Sequence, residues 1–162
     1  GLPTRGPNGI RISMAIFQPQ RPRRFYSKQW LHEDELPFFV PGTHPTIIQL
    51  EGFQLAPAIC YESLRAEHIT QARQRGAEVY VASVAKPKAG MEKAMQYFPE
   101  LARQYAMPVV LSNCIGPCDG FTAAGGSAAW DAKGNLTDQL DEHEEGIVFL
   151  DVRRVNGEID PR

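Results

Sequence analysis

The chain has 162 residues, 43% hydrophobic and 22% charged, enough for one domain with a core of its own and too apolar for a disordered segment. Its 17 Lys and Arg against 19 Asp and Glu leave a formal charge of -2, which argues against a nucleic-acid binder. No apolar run is long enough to span a bilayer, so no membrane partner is expected.

In chain order, residues 1–9 read as loop by their Gly and Pro content, and Ile10 to Phe17 (IRISMAIF) as a strand. Gln18 to Pro22 is a turn leading to a second strand, Arg23 to Gln29, that forms a hairpin with the first. Trp30 to Gly42 is an irregular loop of aromatics and prolines. Thr46 to Leu50 is β-type, Glu51-Gly52 a turn, and Gln54 to Cys60 a short strand of buried character.

Glu62 to Arg75 has helical spacing, with Gly76 where a C-terminal cap belongs. Glu78 to Ala85 is a strand. The apolar positions from Met91 to Tyr105 follow a helix, and Pro99 predicts a kink or a second helix starting near it. Val109 to Ser112, Gly125 to Trp130 and Gly146 to Val152 are strands, with Asp131 to Gly134 as a hairpin turn and Asp138 to Glu145 as a solvated acidic loop. Alternating strands and helices flanked by hairpins point to an α/β fold with a mixed sheet, in a single domain over 1–162.

Cys60 is the first candidate for chemistry. It ends an apolar strand and precedes a helix, the elbow geometry that exposes a nucleophile and favours thiolate. A buried core cysteine is the competing reading. Lys28 follows a strand and precedes the aromatic loop: turned inward it would stabilise an oxyanion, turned outward it is a solvated surface lysine. Glu33, Asp34 and Glu35 form an acidic run beside it. Cys114 and Cys118 lack matching ligands, and His32, His44, His68 and His143 are scattered, so no metal is expected. Three cysteines make no disulfide framework, which fits a reducing, cytoplasmic setting.

Four stretches in order carry a family resemblance: Phe25 to Leu31 (FYSKQWL), Glu35 to Gly42 (ELPFFVPG), Ala58 to Glu62 (AICYE), and Ser112 to Gly116 (SNCIG) followed by Gly125 to Ser127 (GGS). With them the chain resembles the carbon–nitrogen hydrolase (nitrilase) superfamily. The resemblance implies part of an α-β-β-α sandwich and cysteine-dependent hydrolysis of a non-peptide C–N bond in a small amide or carbamoyl compound, without a cofactor. By position it makes Cys60 the nucleophile, Lys28 the oxyanion stabiliser, Glu35 the accessory glutamate and the backbone N–H of Tyr61 a second oxyanion donor. Glu62, next to the elbow, carries a structural acid in the family.

The family's general-base glutamate lies on a strand–helix portion upstream of the lysine, yet none of the 27 residues before Lys28 is Asp or Glu. The sequence therefore reads as an N-terminally incomplete member, expected to form a homo-oligomer or to associate with a missing N-terminal portion. The alternative is a catalytically inactive truncated or pseudoenzyme form that only binds or assembles. Substrate specificity is expected from three stretches: Trp30 to Phe39, Lys86 to Met91, and Pro117 to Ala124.

Overall fold

A computed structural model describes residues 1–155 and 158–159. Its centre is a six-stranded mixed sheet. In chain order its strands are β4 (Ile48–Leu50), β5 (Phe53–Ile59), β6 (Val79–Val84), β7 (Val109–Asn113), β10 (Ala128–Trp130) and β11 (Leu136–Gln139). Their spatial order is β11-β10-β7-β6-β5-β4, with β5, β6 and β7 parallel and the outer pairs antiparallel. A three-stranded antiparallel sheet holds β1 (Leu2–Gly6), β2 (Gly9–Ile16) and β3 (Arg24–Ser27). The hairpin of β8 (Ile115–Cys118) and β9 (Phe121–Ala124) stands apart, as does the terminal pair β12 (Arg154–Val155) and β13 (Glu158–Ile159).

Register decides which residues share the core face. Ala56 pairs with Tyr80, Ala58 with Ala82, Tyr80 with Val109 and Ala82 with Leu111, and all are buried on one side. Helices α1 (Ala66–Gln74) and α2 (Lys88–Tyr105) pack on that side through Ile69, Ala72, Met91, Ala94, Phe98, Leu101 and Ala102. Phe98 stacks on Trp130 at 5.9 Å between ring centroids. Each large side chain buried here contributes roughly 1.5–3 kcal/mol. A second, smaller cluster of Ile16, Tyr26 and Ile59 joins the three-stranded sheet to the end of β5. Helices on one side of a mixed sheet and a second sheet packed beside it make this the expected part of a layered α/β sandwich.

The structure departs from the sequence reading in several places. Residues 2–6 form a strand rather than loop, paired with β2 from Leu2↔Ser13 to Gly6↔Gly9. Pro3 is tolerated because β1 is an edge strand. The helix expected over 62–75 begins at Ala66, because Cys60–Leu64 is a 3₁₀ turn that closes on an extended Arg65 (φ -93°, ψ 118°). It ends as expected, with Gly76 at φ 86° in the left-handed region that glycine adopts freely. Of the two outcomes expected at Pro99, a kink or a second helix, the second helix does not occur, since α2 runs through Pro99 as one element.

Residues 146–152 form no strand. Their alternation is real, but Leu150 and Val152 line a cleft of about 400 Å³ together with Val79, Val81 and Val110 instead of entering the sheet's ladder. Alternating burial reports a one-sided environment, and strand pairing is one way of creating it. The β8–β9 hairpin, in a stretch read only as a source of specificity residues, is a further departure, as is β11, which takes in the start of the expected acidic loop.

Candidate active site

Cys60 stands at the carboxyl end of β5, where the chain turns from a parallel strand into the 3₁₀ turn. Its φ is 51°, a left-handed conformation that a non-glycine residue holds only when its surroundings enforce it. The enforcement is local. Ser63 Oγ donates to the Cys60 carbonyl at 2.6 Å, and Glu62 Oε1 accepts the N–H of Ile59 at 2.7 Å. Cys60 is half-buried, and its sulfur is not bonded to another cysteine.

Lys28 leaves the end of β3 and is 1% exposed. Its backbone is fixed on both sides: its N–H donates to the carbonyl of Ile12 at 2.8 Å, and its carbonyl accepts the N–H of Gly42 at 2.7 Å. A Cβ on Gly42 would sit 2.2 Å from the Ser27 carbonyl oxygen, so the Pro-Gly step lets the aromatic loop close against β3. The Lys28 ammonium donates to both oxygens of Glu35, at 2.6 and 2.7 Å. Glu35 Oε2 also accepts the N–H of His32 at 2.7 Å, which fixes the carboxylate within its loop. Lys28 thus points inward, as the oxyanion reading requires.

These groups open into one cleft of about 520 Å³, lined by Lys28, Glu35, Cys60, Tyr61 and Lys86 among others. The three stretches expected to supply specificity all reach it: His32 and Asp34 from the aromatic loop, Lys86 after β6, and Cys118, Asp119 and Phe121 from the β8–β9 hairpin. Tyr61 packs edge-on against His32 at 5.1 Å. It is the second residue of the 3₁₀ turn, where backbone N–H groups have no partner earlier in the helix.

Two parts of the surroundings were not singled out from sequence as a network. Glu62 is fully buried and accepts four hydrogen bonds: from Ile59 N, Gln29 N and Trp30 N at 2.7, 2.7 and 3.4 Å, and from the Tyr26 hydroxyl at 2.5 Å. Burial pushes its carboxyl above the usual carboxylate range, against the pull of those donors. Its hydrogen bonds tie the backbone after Lys28 to the elbow at Cys60.

Next to it, His68 is buried among Tyr26, Trp30 and Tyr80. Desolvation lowers its pKa to about 4, so it is neutral near pH 7 and its 4.0 Å approach to Glu62 is no ion pair there. A lone histidine in an amphipathic helix gives no signal of this in sequence.

Asn113 is the other part. Its Oδ1 accepts the N–H of Lys86 at 2.8 Å, and its Nδ2 donates to the carbonyls of Lys86 and Gly125 at 3.1 and 2.8 Å. Ser127 Oγ accepts the Asn113 N–H at 2.9 Å. The Asn and Gly-Gly-Ser stretches noted in the sequence therefore clamp the segment that carries Lys86 at the cleft. Among the described residues, no cluster of three or more His, Cys, Asp or Glu could hold a metal, and no helix is long and apolar enough to cross a membrane.

The fold is shared with known proteins. The glutamine-dependent NAD+ synthetase of Acinetobacter baumannii matches with a TM-score of 0.83 at 19% identity, over 90% of this chain and 29% of that one. The NitN amidase of Nesterenkonia sp. AN1 matches with a TM-score of 0.76 at 24% identity, over 88% of this chain and 57% of that one. The same amidase in complex with butyramide gives a TM-score of 0.75 at 23% identity, over 88% of this chain and 56% of that one. This chain thus spans less than two thirds of either protein. No curated protein matches it significantly in sequence. The family model for carbon-nitrogen hydrolases matches residues 13–158, nearly the whole chain and all of the cleft's lining but Ile12, and the chain belongs to that family.

Proposed function

We propose that this chain carries the nucleophile of an enzyme that hydrolyses a non-peptide C–N bond in a small amide or carbamoyl substrate through a thioester. The observation that carries the reading is the opening of a Glu35-held Lys28 ammonium and a strained, accessible Cys60 into one cleft.

The Cys60 sulfur attacks the substrate carbonyl carbon, and the oxygen takes up negative charge. Lys28 and the Tyr61 N–H face that oxyanion, held in place before the reaction begins, so stabilising it needs little reorganisation. The C–N bond then breaks, and ammonia or an amine leaves with a proton. Water adds to the thioester carbon, the C–S bond breaks, and the acid and the free thiol are released. Glu35 acts on Lys28, holding its ammonium over the cleft.

The test is ammonia release by the full-length protein from a panel of small amides and carbamoyl compounds, together with the mass of Cys60 after rapid acid quench. The expected result is turnover, an acyl increment on Cys60, and loss of both in Cys60→Ala. Undiminished turnover by Cys60→Ala would overturn the reading.

A second reading, a catalytically inactive form that binds or assembles, draws on the acids of the cleft. Glu35 is committed to Lys28 and Asp34 to His32, while Asp119 is exposed. Glu35 and Asp34 are thus engaged with partners other than Cys60. Turnover by the 162-residue chain on its own would exclude this reading, since a deleted general base ordinarily costs about a hundredfold or more.

A further inference from the structure

Lys86 enters the cleft from a fixed root. It follows the end of β6, and its backbone is held by Asn113 on both sides and by the Ala124 N–H, which donates to its carbonyl at 3.0 Å. Asn113 is itself buried and tied to Gly125 and Ser127. The lysine stem is therefore projected from a rigid point rather than from a mobile loop.

The head group is half-buried and uncommitted. Among the described residues, the Lys86 ammonium has no carboxylate within ion-pair distance and no hydrogen-bond acceptor; its electrostatic neighbour is the Cys60 sulfur. Burial draws its pKa down, and Cys60 pulls the other way. The other basic side chains of the cleft are engaged, Lys28 by Glu35 and His32 by Asp34. Asp119, the remaining acid of the lining, is exposed and makes no ion pair with Lys86. A partly desolvated cation without a partner is a cost in the free protein that a bound anion offsets.

We propose that Lys86 anchors an anionic group on the substrate, so that the cleft takes small amides whose acyl portion ends in a carboxylate in preference to neutral amides. This rests on the reading of Cys60 as the nucleophile. The two lysines then divide the substrate between them. Lys28 meets the carbonyl oxygen as charge develops, while Lys86 holds the far end, where charge is constant. Binding energy spent at the far end orients the carbonyl over the sulfur. Hydrolysis of such an amide consumes one water and yields ammonia and a dicarboxylate.

The test uses the full-length protein and two readouts. The first does not need turnover. Cys60 is alkylated by iodoacetate or by iodoacetamide, similar in size and different in charge, and each rate is read from the Cys60 peptide, apart from Cys114 and Cys118. Normalised to the same pair of rates for N-acetylcysteine, the iodoacetate preference at Cys60 is expected to be about tenfold, the equivalent of one modest charge contact. Lys86→Met should abolish it and Lys86→Arg restore it.

The second readout is kcat/KM for succinamate relative to butyramide. The ratio should favour succinamate and fall about tenfold in Lys86→Met, mainly through KM. Equal normalised alkylation rates in the wild type would overturn the proposal. So would equal slowing of both reagents in Lys86→Met, which would make Lys86 a stabiliser of the thiolate instead. Turnover of butyramide as fast as succinamate would remove the anion site and leave the hydrolase reading standing. An intact alkylation preference without ammonia release from any amide would support the anion site and overturn the hydrolase reading.

Discussion

The Tyr26 hydroxyl lies 2.5 Å from Glu62 Oε1 and donates its proton there. Tyr26 is two residues before Lys28 in sequence and Glu62 two residues after Cys60, so this contact ties the strand that delivers the ammonium to the elbow that delivers the thiol. Glu62 completes the tie by accepting the N–H groups of Gln29 and Ile59. One buried carboxylate therefore sets both positions at once.

The same contact assigns the protons of His68. The Tyr26 hydroxyl has one proton, and it is committed to Glu62, so toward His68 Nε2 at 3.0 Å it can only accept. Nε2 then carries the ring proton, and Nδ1 accepts from the Tyr80 hydroxyl at 2.7 Å.

Replacing Glu62 separates a structural from a catalytic role. Glu62→Ala strands four donors in a dry site and should cost about 3 kcal/mol or more, because each unsatisfied buried group is expensive. Urea unfolding should show a lower midpoint with an unchanged slope. Glu62→Gln should also destabilise, since its amide turns a donor toward donors. A Glu62→Gln protein of wild-type stability that had lost only kcat would make Glu62 the general base instead.

Removing either member of the Lys28–Glu35 pair should have a different signature. Lys28→Met should lower kcat by roughly 10²–10³ through loss of an oxyanion donor, with a smaller effect on KM. Glu35→Gln leaves a buried ammonium without its counter-charge and should cost about 3 kcal/mol, the low end for a broken buried pair because Glu35 is partly exposed. Thermal unfolding and steady-state kinetics on both variants check the division.

His68 makes stability depend on pH. Its folded pKa of about 4 lies below the ordinary 6.5, so the unfolded chain binds the proton first. Its contribution is full above pH 6.5 and is lost as pH falls toward 4, about 3 kcal/mol in all. The raised pKa of Glu62 works in the opposite sense, with stability falling as pH rises above 4.5, but it is present with or without His68. The stability difference between wild type and His68→Gln should therefore shrink from pH 7 to pH 4. A difference that stays constant with pH would mean that folding leaves the His68 pKa unshifted.

Gly42→Ala tests the closure of the aromatic loop on β3. Its Cβ would meet backbone, the Ser27 carbonyl oxygen at 2.2 Å, and not a side chain that could turn away. A cost of about 1–3 kcal/mol is expected. Because the Gly42 N–H also holds the Lys28 carbonyl, kcat should fall with stability, whereas an equally destabilising change in α2 should leave kcat per folded molecule unchanged.

The sequence alone determined the alternation of strands and helices and the elbow at Cys60, because periodicity, glycine and proline placement and short motifs are local properties; the pairing of Lys28 with Glu35 is a tertiary contact. The sequence could not determine that residues 2–6 pair as a strand or that residues 146–152 do not, since both depend on whether a partner edge is within reach. Nor could it separate an inward Lys28 from a solvated one, or show that Glu62, Tyr26 and His68 form one buried chain of hydrogen bonds. Those contacts join residues 36 to 42 apart in sequence. Only the packing of the three-stranded sheet against the end of β5 brings them together, and the same packing excludes the water that would otherwise satisfy each group separately.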